Sequence, residues 1–418
     1  MIVMNWSLSH MFKFAAISRV AAFLFLFLVG FIKVCYAQPT DIYLIPGVNF
    51  VSDISSQNKI APWILELNKN PDFRSAMELR LQKVVEATKM KRAYRIVTRD
   101  FAQQGSDTYA VSFAVSGELI NREILDGKTF IQYEIHAQVL VVNFSTIPDR
   151  QRLVAAYPVR LRHRTSPDYE PTSSQHLEVF RQMYLQPKVD MADIVGLWAN
   201  RLSGIELSEK DVWVKVLPFR FEDKAKLAIS SEVAEIPSMS SRLTSSVEGF
   251  ISSQYNLPVI PNVIGQSTEK GTLVFSSSYG VQKNFKLADP SFILEFAVKD
   301  LRSVANVKKT AGGNEQTDLM YASALDVYLR DEITRKGAAP YNVTFKKIDG
   351  ISFLGKRDLS KSADFYRLIE GLSLEFMMFV KNSNKSEKWL STALVYPDRA
   401  NEVRGAFAAL SQQLSVRN

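Results

Sequence analysis

Histidine is the side chain whose ordinary proton affinity lies nearest neutral pH. Beyond residue 37 the chain holds three: His136, His163 and His176. His136 follows Glu134 by two residues in an alternating stretch. Extended backbone would place both on one side, and a base oriented by a carboxylate is the chemistry such a pair could perform. The same spacing equally describes the exposed polar side of a strand. No two histidines stand four apart, and no His-Glu-x-x-His run occurs, so a helical metal site is not spelled out. Gly-x-Ser-x-Gly is missing, and Gly350-Ile351-Ser352-Phe353-Leu354-Gly355 has the wrong spacing for a nucleophile elbow. Ala311-Gly312-Gly313-Asn314 leads into no apolar helix and reads as a loop instead of a phosphate cradle. Asp331 and Glu332 are adjacent, a placement that cannot set two acids around one bond. The sequence thus nominates no catalytic residue, no metal site and no cofactor.

The densest charge cluster is Arg160-Leu161-Arg162-His163-Arg164. Arg160, Arg162 and Arg164 share one side of an extended chain, and guanidinium groups grip carboxylate or phosphate in a two-pronged manner. They are the candidate partner- or anion-binding residues. The competing reading is a solvated edge strand whose positive charges discourage unwanted pairing. If the first reading holds, replacing all three with glutamine leaves the fold intact and abolishes capture of the partner.

These residues need a scaffold, and the composition supplies one. The 418 residues are 46% hydrophobic and 22% charged, which suits globular domains with real cores. The formal charge of +8 falls to about +5 once Lys13, Arg19 and Lys33 are set aside, and it is spread along the chain. That is far from the clustered footprint of a nucleic-acid binder. Cys35 is the single cysteine, so beyond residue 37 there is no disulfide, thiolate metal site or thiol nucleophile.

Lys13 and Arg19 precede an apolar run, Val20–Ile32. It has the length of a signal-peptide core and is short of the roughly 20 residues of a membrane span. Cys35-Tyr36-Ala37 offers small residues at the two positions a signal peptidase reads. Residues 1–37 are therefore expected to be a signal peptide cut after Ala37, with the mature chain in the periplasm. An uncleaved anchor would instead tether the chain to the membrane. A lipoprotein signal at Cys35 is disfavoured by Lys33 and Val34.

The rest reads as α+β: two tandem related α/β domains, each a mixed sheet packed by helices, over residues 38–208 and 209–395, then a C-terminal helix over 396–418. The first opens with a strand, Asp41–Val51. A helix near Pro71–Met90 follows, with Phe73, Met77, Leu81, Val84 and Val85 on one side. Tyr94–Thr98 is a short strand. Tyr109, Val111, Phe113 and Val115 alternate, as do Ile131, Tyr133, Ile135, Ala137 and Val139, and Asp126-Gly127 turns between them. Leu153–His163 is a further strand; Ser174 and Asp190 are read as caps of two helices, the second carrying Met191, Ile194, Val195, Trp198 and Leu202. The second half repeats the order with Val212–Phe221, a helix bearing Met239, Leu243 and Val247, a short strand Leu257–Ile264, and strands around Phe292–Val298, Tyr321–Leu329 and Asn342–Ile348. A helix capped by Ser362 follows. Laid over one another, Phe113-Ala114-Val115 meets Phe296-Ala297-Val298, Tyr133 meets Tyr321, and Val159-Arg160-Leu161-Arg162 meets Val343-Thr344-Phe345-Lys346. Pro397 is expected to start the terminal helix, whose Val403, Phe407, Leu410 and Leu414 form one docked stripe.

Val216-Leu217-Pro218-Phe219, followed by a polar loop and a helix, resembles the opening strand of the TolB amino-terminal domain, and CsgG-type curli-secretion lipoproteins and the flagellar assembly protein FlgT look similar. The first half departs from that motif with Leu44-Ile45-Pro46-Gly47. The resemblance implies a periplasmic, non-catalytic module that builds or contacts envelope machinery, and it brings no catalytic residues. The expected function is a non-enzymatic binding or assembly factor of the bacterial envelope, with envelope proteins as partners, no nucleic acid, and membrane contact only through an uncleaved signal segment. The alternatives are a periplasmic hydrolase with a site of acids and a histidine gathered from both halves, and a membrane-tethered scaffold.

Overall fold

The computed structural model describes residues 40–90, 94–98, 108–125, 128–144, 151–185, 193–205, 212–229, 236–262, 271–309, 312, 315–334, 336–354, 361–382 and 387–415. The expected signal peptide and its cleavage point, Asp126-Gly127, Asp190, Met191 and most of Ala311–Asn314 lie outside these residues. The described residues of 41–90 and 96–415 form one compact unit; Thr40, Tyr94 and Arg95 belong to a second. The fold is α+β, with mixed sheets packed by helices. No described helix is long and apolar enough to cross a membrane.

Each half is built on a long antiparallel meander. In the first, the opening stretch makes β1 (Thr40–Leu44) and β2 (Asn49–Phe50). Helices α1 (Gln57–Ile60), α2 (Pro62–Leu67) and α3 (Pro71–Ala87) come next, the last capped by Asn70, whose side chain accepts from the N–H of Asp72. After β3 (Tyr94–Val97) come the meander strands β4 (Thr108–Leu125), β5 (Lys128–Phe144) and β6 (Arg152–Thr165). Helices α4 (Ser173–Leu185) and α5 (Ile194–Leu202) cover one side, and Phe113 meets Trp198 edge-on at 5.9 Å. The N-cap of α5 is Asp193, which accepts from Gly196 N–H at 2.6 Å; it does the work expected of Asp190.

The second half has β7 (Val214–Val216), β8 (Arg220–Phe221), α6 (Asp223–Ala228), α7 (Ile236–Tyr255) and β9 (Val259–Ile260). A hairpin, β10 (Thr272–Ser277) and β11 (Gln282–Lys286), precedes its meander, β12 (Phe292–Lys309), β13 (Glu315–Asp331) and β14 (Tyr341–Leu354). Helices α8 (Lys361–Lys381), α9 (Glu387–Ala393) and α10 (Ala400–Ser415) close the chain. Pro397 begins a 3-10 turn and not the helix itself. Val403, Phe407 and Leu410 of α10 are buried in the second core, where Phe407 meets Phe376 at 5.1 Å.

The two meanders share one register. Leu44 lies opposite Val111 and Phe50 opposite Val115; Val216 lies opposite Leu294 and Phe221 opposite Val298. A bulge follows each, at Val115/Gly117 and at Val298/Asp300. Ile45 N–H donates to Val111 O and Leu217 N–H to Leu294 O, both at 2.8 Å. Neither opening stretch is the single strand expected. Pro46 and Pro218 interrupt each one, because proline brings no N–H to a ladder. The third strand corrects the overlay. Tyr157 and Val343 are the residues opposite Val139 and Val327, so Val343 corresponds to Tyr157 and not to Val159. A slip of two keeps every side chain on its own face, so alternation alone cannot detect it.

The expected boundary at 208/209 is crossed by β10 and β11. The hairpin belongs to the first sheet: β10 pairs antiparallel with β2, and β11 pairs parallel with β6 through Lys286 and Arg152. Since β2 also pairs with β4, strands β2, β4, β5, β6, β11 and β10 close into a ring. Ala110, Ala114 and Ala156 leave room inside it for Leu140, Phe275 and Phe285. Closure removes a bare sheet edge, which is a sufficient physical reason for the hairpin to leave its sequence neighbours.

Candidate functional site

The candidate residues of the first half meet across β5 and β6. The register sets His136 opposite Arg160, Glu134 opposite Arg162 and Gln132 opposite Arg164. Alternation puts all six on one face, where directly opposed unlike charges attract. Helices α7 and α8 then cover that face with Arg242, Ser246, Tyr366 and Glu370.

A buried charge network results. Glu134 is wholly buried and bonds His136 Nε2 at 3.0 Å and Arg242 Nε at 2.9 Å; Gln132 also donates to it, and Arg162 Nε lies 3.5 Å away. Glu370 Oε1 receives Arg162 at 2.7 Å, Tyr366 Oη at 2.8 Å and Arg160 at 3.1 Å, with Ser246 donating as well. The Arg242 guanidinium sits 4.0 Å over the Tyr366 ring. Burial pushes the Glu134 carboxyl up, but His136, Arg242 and Arg162 outweigh it and hold the group well below the usual carboxylate range. Burial likewise raises Glu370, and Arg162, Ser246 and Arg160 bring it down to about 2. His136 is lowered, first by burial, against the pull of Glu134 and with the push of Arg160 and Arg162.

This arrangement corrects two expectations. His136 is not on an exposed polar face: it is only 6% exposed, because the second half packs over it. Arg160 and Arg162 do not form an open basic patch, since their guanidiniums are held by Glu370, Glu134 and Tyr366. Arg164 goes its own way, 4.3 Å over the Phe130 ring. Replacing all three with glutamine therefore attacks an internal ion-pair network. The histidines are also divided: His176 Nδ1 bonds Tyr133 Oη at 2.9 Å on the other face of β5, where the His163 ring lies 6.3 Å from Tyr133. Asp331 accepts from the N–H groups of Ile333 and Thr334, which makes it a turn residue.

Beside the network lies an open groove of about 490 Å³ between β6, α5, α7 and α8. Arg160 and Arg201 line it with Asn200, Ser246, Leu197 and Phe250; among the described residues its lining contains no carboxylate and no histidine. Arg201 donates to Ser252 Oγ at 3.2 Å and Asn256 Oδ1 at 3.0 Å and lies 4.3 Å over the Tyr157 ring. Sequence reasoning missed Arg201, Arg242, Tyr366 and Glu370. Arg242 left a faint signal as a charge inside the helical stripe of Met239, Leu243 and Val247; Arg201 left none.

No family model matches the chain, and no curated protein matches it. Among solved structures it is similar to the hypothetical protein CT253 from Chlamydia trachomatis, at 12% identity and a TM-score of 0.24, over 41% of this chain and 96% of that one. It is also similar to a Helicobacter pylori homologue of a neuraminyllactose-binding hemagglutinin, at 12% identity and a TM-score of 0.21, over 40% of this chain and 82% of that one. Likenesses this weak define neither a shared fold nor a shared activity.

Proposed function

We propose that the chain is an exported, non-enzymatic binding or assembly factor of the bacterial cell envelope, working in the periplasm after cleavage behind Ala37. The basic residues, apolar core and small-residue pair of residues 1–37 support export. The strand–loop–helix opening at Val216–Phe219, which resembles the TolB, CsgG-type and FlgT modules, supports the envelope role.

One observation carries the binding role. Val304, Met320, Ile348 and Leu354 share one face of the distal second meander and are 63%, 53%, 61% and 62% exposed. Val304 and Met320 are direct cross-strand partners. Val304, Met320 and Ile348 neighbour one another on that face, and grouped exposed apolar side chains suit an interaction site. The shared register supports one kind of occupant. Met320, Ala322 and Ile348 occupy the positions of Gln132, Glu134 and Arg162 in the first meander. There the face is covered by helices α7 and α8, so the occupant of the second face is a helix of a partner protein. Ion-paired Lys308 and Asp318, 2.9 Å apart on the same face, suit a protein surface better than acyl chains.

The test is capture by a tagged chain after cross-linking in intact envelopes, comparing wild type with a Met320→Glu/Ile348→Glu variant. Both sites are exposed, so the melting temperature should change little. The expected result is that the partner enriched by wild type is lost from the variant, and that the mature amino terminus is Gln38. An identical captured set from both proteins would overturn the reading. Capture of this chain itself would identify the partner as a second copy.

A further inference from the structure

We propose that the groove between β6, α5 and α7 binds a small organic anion, a carboxylate or phosphate carried on a short apolar body. The argument starts from charge. Arg160, Arg162 and Arg242 face only Glu134 and Glu370 within the network among the described residues, so at least one positive charge is left over. Arg201 adds a second. It is half-buried, its hydrogen bonds go to the neutral Ser252 and Asn256, and burial lowers its proton affinity against the weaker pull of Tyr157. A guanidinium partly withdrawn from water and held only by neutral groups gains from an anion that can reach it. Arg160 and Arg201 line the same groove; Arg160 already pairs with Glu370 at 3.1 Å, so Arg201, bonded only to neutral groups, is the primary anchor for an anion.

Shape and polarity agree. A volume of about 490 Å³ lies within the range of small-molecule sites. Leu197, Phe250 and Leu374 give an apolar wall, while Asn200, Ser246 and Ser253 give hydrogen-bonding groups beside the two arginines. That mixture suits an anionic head on an apolar body. Gly249 of α7 also lines the groove, and a Cβ there would meet nothing within 4 Å, so the groove is open at that point. The groove and the apolar face of β12–β14 use different residues, and each stands or falls without the other.

Isothermal titration of the purified chain with hexanoate, hexyl phosphate and hexanol tests this. The expected result is that at least one anion binds tenfold or more tighter than hexanol; whichever anion binds tighter identifies the head group as carboxylate or phosphate. Arg201→Gln should weaken that anion at least tenfold and Arg201→Lys less, because lysine keeps the charge but not the fork. Gly249→Phe fills the groove without touching a charge and should abolish binding; it remains decisive if Arg201→Gln fails to fold. The inference is overturned if neither anion binds at about 10 mM, if hexanol binds as well as both anions, or if Gly249→Phe leaves anion binding unchanged.

Discussion

Replacing Glu248 with glutamine should stabilise the protein, and by more as the pH rises. Glu248 is 3% exposed in α7 and is hydrogen-bonded by Asn262, whose Nδ2 lies 2.6 Å from Oε1 and whose backbone also bonds the carboxyl. The same Asn262 amide also donates to Val216 O, which fixes it in place. Burial pushes the Glu248 carboxyl up, against the weaker pull of Asn262, to about 8. Between the ordinary carboxylate range and that value the folded chain holds a proton that the unfolded chain has released. Stability is therefore complete below about pH 4 and is lost as the pH rises toward 8. At about 1.4 kcal/mol per pH unit, the loss is roughly 3 kcal/mol at pH 7 and near 5 kcal/mol at pH 9. Glutamine keeps the shape and the acceptor but cannot ionise. Urea denaturation of both proteins at pH 4, 7 and 9 measures the difference, and the other titrating groups cancel in it. The expected gain for Glu248→Gln is within about 0.5 kcal/mol of zero at pH 4 and grows to a few kcal/mol at pH 9. A difference that stays constant with pH would refute the reasoning, because it would mean that Glu248 has the same proton affinity in both states.

The charge network gives two further predictions. Arg242→Met and Glu134→Gln should each destabilise by about 3–5 kcal/mol, because either strands a buried charge, and the double variant should cost clearly less than the two together; strict additivity in urea denaturation would show that the pair is not coupled. Glu370 is held at about 2, so its contribution is present above the ordinary carboxylate range and is lost as the pH falls toward 2. Glu370→Gln should be less stable than wild type at pH 7 and should converge with it on acidification, which far-ultraviolet circular dichroism can follow; parallel acid limbs would contradict the assignment.

The meanders were legible because alternation is a local signal. Tyr109 to Val115 and Ile131 to Val139 announce their strands, and the matched triplets Phe113-Ala114-Val115 and Phe296-Ala297-Val298 fall at matched positions beside the two bulges. The hairpin β10–β11 was missed although it carries the same signal: Leu273 and Phe275 alternate, as do Phe285 and Leu287, around a turn at Gly280 with φ +80°. Its destination in the first sheet has no sequence signature, since strand partners far apart in the chain are chosen by which edge needs covering. The site was half legible. Two-residue spacing puts Glu134 beside His136, and Arg160 beside Arg162. Their burial depends on Arg242, Tyr366 and Glu370, more than 75 residues away in the chain. No local pattern records that a helix will arrive with a guanidinium at the right height.

Positions that correspond between the meanders separate what the scaffold requires from what each face is for. Tyr133 and Tyr321 correspond, and each anchors the helix that follows its third strand. Tyr133 Oη bonds His176 of α4 at 2.9 Å, and Tyr321 Oη donates to Asp364 of α8 at 2.6 Å. Each ring also meets a phenylalanine of that helix edge-on, Phe180 at 5.7 Å and Phe365 at 5.5 Å. The partners differ in chemistry, but the bond survives because a buried hydroxyl must be satisfied wherever the helix docks. The opposite face follows no such rule. In the first meander it carries Gln132, Glu134 and Arg162 and is sealed by the chain's own helices through ion pairs. In the second, the same positions carry Met320, Ala322 and Ile348, and among the described residues no helix arrives. Ion pairs give a fixed internal joint its geometry, because each charge must find its counter-charge. Exposed apolar side chains accept any complementary surface and gain most from a partner that comes and covers them. The first face is thus chemically suited to a permanent joint within one chain, and the second to a contact between chains.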